Sequence, residues 1–257
     1  MKNTVLPLTL LVLLLGCPSG ATGEDAEPVT FDHGAFDKLL GETVKDGRVD
    51  YAAIKKHKAR LDAYLATLAD AKPERLSKDG ALAFWINAYN AFTLKLIINH
   101  YPGVKSITDI PDAWKKKDWR VAKLERSLDE IEHQIIRKQF AEPRIHFALV
   151  CASISCPGLS RKAYTAENLK AQLDRETRRF LKDTSKGAKV VLREGRPPVL
   201  ELSLVFKWFK DDFRKSAGSV LEFVLLYLPA EAGESLRAQK NEVRIQFLDY
   251  DWRLNKR

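Results

Sequence analysis

One segment constrains the fold of this chain more than any other. Residues 81–98 (Ala-Leu-Ala-Phe-Trp-Ile-Asn-Ala-Tyr-Asn-Ala-Phe-Thr-Leu-Lys-Leu-Ile-Ile) carry a single charge, Lys95, and are apolar on almost every helical face. A helix of that kind has no face to offer water and belongs at the centre of a domain. Ser77 can cap its start, and Tyr101-Pro102-Gly103 ends it. Within it Asn87 and Asn90 lie three apart, on one side. Buried amides must be hydrogen-bonded. They either clamp loop backbone or orient a ligand or a catalytic histidine, and loop clamping is sufficient to explain them. Trp85 and Tyr89 read as core.

Around that helix the pattern is helix-rich. Phe36, Leu39, Leu40 and Val44 recur at helical spacing, as do Ile54, Leu61, Leu65 and Leu68, with Gly47 as a break between the two runs. Ser127-Leu-Asp-Glu130 is a capping box opening a helix through Ile131, Ile135 and Ile136. Leu169, Leu173 and Phe180 mark an amphipathic helix, and Val220–Leu228 an apolar one between Ser219 and Pro229. Arg144–Cys151 is short and apolar on both faces, which suits a central strand. Lys189–Arg193 and Val199–Leu204 form a hairpin pattern split by Gly195-Arg-Pro-Pro198, and Val243–Leu248 reads as a last strand. The expectation is α+β: a helix-rich single domain over residues 30–257 with a small, mainly antiparallel sheet that includes 144–151.

The first 29 residues read differently. Lys2, the apolar run Val5–Leu15 and the small residues after it have the three parts of a secretory signal, and the run is shorter than the roughly 20 residues of a membrane span. Leu14-Leu15-Gly16-Cys17 looks like a bacterial lipobox, so residues 1–17 read as a lipoprotein signal with Cys17 lipidated and 18–29 as a flexible tether. Pro18 inclines the address to the periplasmic face of the outer membrane, if the host has two membranes. Cleavage after Ala21-Thr22-Gly23, giving a soluble secreted or periplasmic protein, is the alternative. The net charge is +9 and its basic residues are scattered. Besides the membrane itself, a cell-wall polymer or an envelope protein is a natural partner. Nucleic acid is not, since export and the lack of a binding motif argue against it.

Six ordered motifs carry a resemblance: Phe84-Trp-Ile-Asn-Ala-Tyr-Asn-Ala91, Ser127-Leu-Asp-Glu-Ile-Glu-His133, Pro143-Arg-Ile-His-Phe-Ala-Leu-Val-Cys151, Ser155-Cys-Pro157, Phe206-Lys-Trp-Phe-Lys-Asp-Asp-Phe213 and Tyr250-Asp-Trp-Arg-Leu-Asn255. Together they resemble the domain-of-unknown-function 547 family, across nearly all of residues 30–257. The resemblance implies one domain and no characterised reaction.

The candidate chemistry centres on Cys151. A thiol near an imidazole can be a nucleophile, with His146, His100 or His133 as the imidazole and Asn90 beside them. On a strand, alternation would put His146 and Cys151 on opposite faces. In an oxidising compartment Cys151 and Cys156 can instead pair as a disulfide, or Cys151 can be a core residue. Asn87, Arg144 and Asp251 are binding candidates, Arg144 and Asp251 with an ion-pair clamp as the plainer role. Glu132 and His133 read as a solvated helix face. No metal-ligand spacing or cofactor motif is present. Two functions remain: a binding or assembly module, slightly favoured because no complete catalytic set can be assembled, and a thiol-dependent hydrolase or acyltransferase acting on peptide-like or cell-wall substrates. The sequence alone predicts no rapidly alkylating thiol near neutral pH.

Overall fold

A computed structural model describes Met1 and residues 29–257; the signal, Cys17 and nearly all of the tether expected from the sequence lie outside the described residues. The chain opens with α1 (Gly34–Thr43), whose Phe36, Leu39 and Leu40 face inward. A two-residue turn follows, with Asp46 and Gly47 both at positive φ, 52° and 80°. That geometry joins β1 (Val44–Lys45) to β2 (Arg48–Val49), so a small hairpin stands where the sequence suggested only a break. The run expected as one helix from Tyr51 is two, α2 (Tyr51–Lys56) and α3 (Lys58–Ala69), interrupted at His57.

α4 (Lys78–His100) is the expected central helix, with Ser77 Oγ accepting from the Gly80 amide. It is long and apolar enough to cross a membrane, yet 89% of its apolar window is enclosed by the rest of the protein. Every residue from 82 to 94 is buried. β3 (Trp119–Val121) and β4 (Leu124–Arg126) form a second small hairpin. The capping box is present in both directions: the Ser127 amide donates to Glu130 Oε2 at 2.9 Å, and the Glu130 amide to Ser127 Oγ at 3.0 Å. The helix it opens is wound as a π-helix over Glu130–Ile136 before α5 (Arg137–Phe140).

The expected strand 144–151 is not one. Pro143–Phe147 is a 3₁₀ turn. Pro143 starts it, the Glu142 carboxylate caps it by accepting from the Arg144 amide at 3.0 Å, and the Ala148 and Leu149 amides both turn back to Ile145 O. A short apolar run enclosed on all sides looks the same in sequence whether it is strand or helix, and here the proline and the cap decide. The turn lies between two apolar clusters: Ile145 belongs to the one around α4, Phe147 to a second one with Phe206, Phe213 and Phe223.

α6 (Leu169–Lys182) follows a long loop, and then β5 (Ala188–Arg193) pairs antiparallel with β6 (Arg196–Leu202), as the hairpin pattern predicts. α7 (Val205–Trp208), α8 (Lys210–Ala217), α9 (Val220–Tyr227) and α10 (Ala230–Ala238) come next, and Ser219 caps α9 as expected. β7 (Arg244–Phe247) then lies parallel to β6. The helix-rich α+β class holds, at 53% helix, but the three-stranded sheet is β5-β6-β7 and does not include the 144–151 segment.

Candidate functional site

The loop after the 3₁₀ turn is held from every side. Asn90 clamps its start: Nδ2 donates to Ala148 O and Oδ1 accepts from the Val150 amide, both at 2.9 Å. Lys186 Nζ donates to the carbonyls of Ile154 (3.1 Å) and Cys156 (2.8 Å). The segment 250–256 runs alongside, with the Ile154 amide donating to Arg253 O and the Asp251 amide to Ser155 Oγ. Just beyond, Gly158 presses on Gly47, where a Cβ on Gly158 would sit 2.8 Å from the Gly47 Cα. Within this clamped loop Ala152 is buried with φ at 62°. A non-glycine residue in that region is strained, and such strain gathers at functional sites.

Cys151 and Cys156 are both free thiols. The Cys151 amide donates to Cys156 Sγ at 2.9 Å. Cys151 Sγ lies 3.3 Å from Ser153 Oγ and 3.3 Å from Tyr250 Oη. As a thiolate the sulfur can accept from the Tyr250 hydroxyl, while Ser153 Oγ, 3.1 Å from Tyr250 Oη, has one hydrogen to give to either the sulfur or the phenol. The neighbouring Cys156 side chain, with hydrogen bonding from Ser153 and Tyr250, outweighs burial and holds the Cys151 thiol below the usual range. Burial, reinforced by the neighbouring sulfur, pushes Cys156 up, so Cys156 keeps its proton and Cys151 carries the charge.

His146 projects from the 3₁₀ turn and stacks on Phe209, with ring centroids 3.8 Å apart. Its Nε2–H donates to Asp212 Oδ2 at 2.8 Å, and the bare Nδ1 is buried with no partner. Asp212, on α8, is gripped by Arg137 through Nε (2.7 Å) and Nη2 (2.9 Å). Burial raises its pKa, but the bonds from His146 and Arg137 more than reverse this and hold it well below the carboxylate range. Burial keeps His146 neutral, against the pull of Asp212. Arg137 also donates to His133 Nδ1 at 3.0 Å, which leaves His133 Nε2–H for Asp129, 3.4 Å away.

These groups share one cavity of about 580 Å³, whose wall includes Tyr89, Glu132, His133, His146, Cys151 and Cys156, with Trp114, Trp208, Phe209, Tyr250 and Trp252. Burial raises the Glu132 carboxyl, against the favourable influence of His133 and a bond from Tyr89. The π-wound turn sets Glu132 and His133 on this wall, where the sequence suggested a solvated face; π-turns recur at functional sites. Among the described residues no group of three or more His, Cys, Asp or Glu side chains is disposed to hold a metal ion.

The candidates separate cleanly. His146 and Cys151 meet in the cavity, and Asn90 stands behind it as the clamp of the loop. Asn87 clamps a different loop through both backbone groups of Tyr164. His100 is exposed at the end of α4 with Nδ1 on its own Leu96 carbonyl, outside the cavity. Arg144 is committed to Glu142 and Asp174, and Asp251 to Arg253, so both form ion pairs outside the cavity. The sequence does not single out Asp212, Trp208 or Tyr250, although they lie in motifs where polar groups stand among aromatics, and it places Glu132 on a solvated face.

Residues 73–181 match the family model described as "Protein of unknown function, DUF547". The DUF547 match is narrower than the resemblance read from the motifs. It contains Tyr89, Glu132, His133, His146 and Cys151, while Asp212, Tyr250 and the tryptophans Trp208 and Trp252 come from outside it. No curated protein and no solved structure is significantly similar to the chain.

Proposed function

We propose that this is a thiol-dependent acyl-transfer enzyme, a hydrolase or acyltransferase acting on peptide-like or cell-wall material at the cell envelope. The observation that carries it is the pairing, on one cavity wall, of a hydrogen-bonded Cys151 sulfur with an imidazole whose Nε2–H is held by Asp212 and whose Nδ1 is free. That is the nucleophile, base and orienting carboxylate of triad chemistry. The thiolate attacks a carbonyl carbon, the S–C bond forms, and the bond to the leaving group breaks, the leaving group drawing its proton from solvent through the open cavity. Water or an amine then attacks the thioester, its proton passes to His146 Nδ1, the thiolate departs, and the imidazolium returns the proton to solvent. Asp212 stabilises the imidazolium meanwhile. No hydrogen bond joins Cys151 to His146 at rest, which is common before substrate binds. The support for the envelope address is the lipobox-like sequence at Cys17.

The test is alkylation of Cys151 by iodoacetamide as a function of pH, read by peptide mass, together with trapping of an acyl adduct from p-nitrophenyl acetate. Labelling should follow a pKa below the free-thiol value of about 8.5 and move upward in Tyr250→Phe. The adduct should vanish in Cys151→Ala and persist without turnover in Asp212→Asn. Slow labelling with an ordinary thiol pKa, and no adduct, would favour the inert binding module instead.

A further inference from the structure

The cavity is lined by chemistry that the bulk of the protein does not share. The chain carries a net charge of +9, yet this wall holds three carboxyls, Asp112, Asp129 and Glu132, against one lysine, Lys115. The same cavity is lined by interlocked aromatic rings: Trp208 and Trp252 stack with centroids 5.8 Å apart, Tyr250 lies 4.6 Å from Trp252, and Trp114 meets Trp252 edge-on at 6.2 Å. Trp208 is 46% exposed.

The protein's own cations leave these faces open. Among the described residues, Lys and Arg head groups lie over Trp85, Phe209, Tyr227 and Phe247, and none over Trp114, Trp208, Tyr250 or Trp252. Aromatic faces beside carboxylates attract a cation, through the ring quadrupole on one side and direct charge on the other. Independently, the buried Nδ1 of His146, a residue of the cavity wall, has no partner in the protein and needs one.

We infer that the cavity takes a substrate bearing an ammonium group, its cationic end between Glu132 and the Trp208–Trp252 face, its acyl carbon at Cys151. The acyl-transfer step rests on the function proposed above; the ammonium site does not. The substrate class is thus an amine-bearing peptide fragment. A neutral ester or an anionic glycan would leave the carboxyl wall unmatched.

Thiosulfonate reagents test this with Cys151 as reporter. The full chain is treated with methanethiosulfonates carrying an ammonium, a neutral methyl or a sulfonate group, and labelling at Cys151 is read by peptide mass and normalised to a free small thiol. The ammonium reagent should be favoured over the sulfonate by more than the thiolate alone dictates, so that Glu132→Gln lowers the ratio about tenfold, the worth of one close charge pair in a partly dry site. Trp208→Leu, at an exposed position where folding is safe, should lower the ammonium-to-methyl ratio. Unchanged ratios in either folded variant overturn the inference. Fast labelling without charge preference would leave the thiol chemistry standing and remove the ammonium site. Charge preference without any acyl adduct would do the reverse.

Discussion

Asn90→Leu is the substitution whose cost can be worked out most directly. The side chain is 2% exposed and satisfies two backbone groups, Ala148 O and the Val150 amide. Those residues are themselves buried, at 2% and 4%, so water does not replace the lost partner. Leaving a buried donor or acceptor unpaired costs about 1–3 kcal/mol, so two cost about 2–6 kcal/mol. The leucine recovers about 1–2 kcal/mol by burying apolar surface in the same volume. A net loss of about 2.5 kcal/mol at mid-range follows from those terms, within about 0–5 kcal/mol, and should appear as a lower urea midpoint with an unchanged slope. Asn87→Leu strands the same two kinds of group, on Tyr164, and should cost a similar amount. The two variants part at the thiol. Below the unfolding transition, Asn90→Leu should alkylate at Cys151 like an ordinary thiol, because the loop that carries it has lost its register, whereas Asn87→Leu should label as the parent does. Equal effects on labelling would mean that general loosening, not the clamp, was being measured, and an unchanged midpoint in Asn90→Leu would refute the energetic reasoning outright.

His33 is buried, bonded through Nδ1 to Tyr64 Oη at 2.7 Å, and burial lowers its pKa from 6.5 to about 4. The unfolded chain therefore takes up the proton first: the contribution to stability is complete above pH about 6.5 and falls by about 3 kcal/mol as pH drops to 4. Urea midpoints at pH 7.5 and 4 should show that difference between the parent and His33→Phe, since other groups titrating in the window are common to both; equal losses would mean that His33 is not responsible. Cys17→Ala should release the protein from membranes into the soluble fraction, and retention at high salt after signal removal would exclude lipid as the anchor.

The central helix, its cap and stop, the capping box at Ser127 and the β5–β6 hairpin were all legible, because each is written in local periodicity and end-residue chemistry. The 144–151 segment was not, since enclosure hides the period that separates strand from helix, and the proline and Glu142 cap had to be weighed against it. With the strand goes the alternation that would have put His146 and Cys151 on opposite faces. Cys151 and His146 could be named from their chemistry, but Asp212 could not be paired with His146 from a distance of 66 residues in sequence. Glu132 was hidden for a different reason: a π-turn shifts which positions of a helix face inward, and helical spacing of 3.6 does not report it.

The segment 250–256 ties together parts of the chain that are distant in sequence, bridging to Val49, Ser106 and Ser153, and it also delivers the Tyr250 hydroxyl to the Cys151 sulfur. Closures between such distant stretches tend to form slowly. Until that strap docks, Cys151 lacks one of the hydroxyls that lower its pKa and is closer to an ordinary, unreactive thiol. Reactivity and completion of the fold thus become a single event. In a half-folded chain the sulfur lacks that donor, so its labelling rate reports whether the 250–256 segment has found its place.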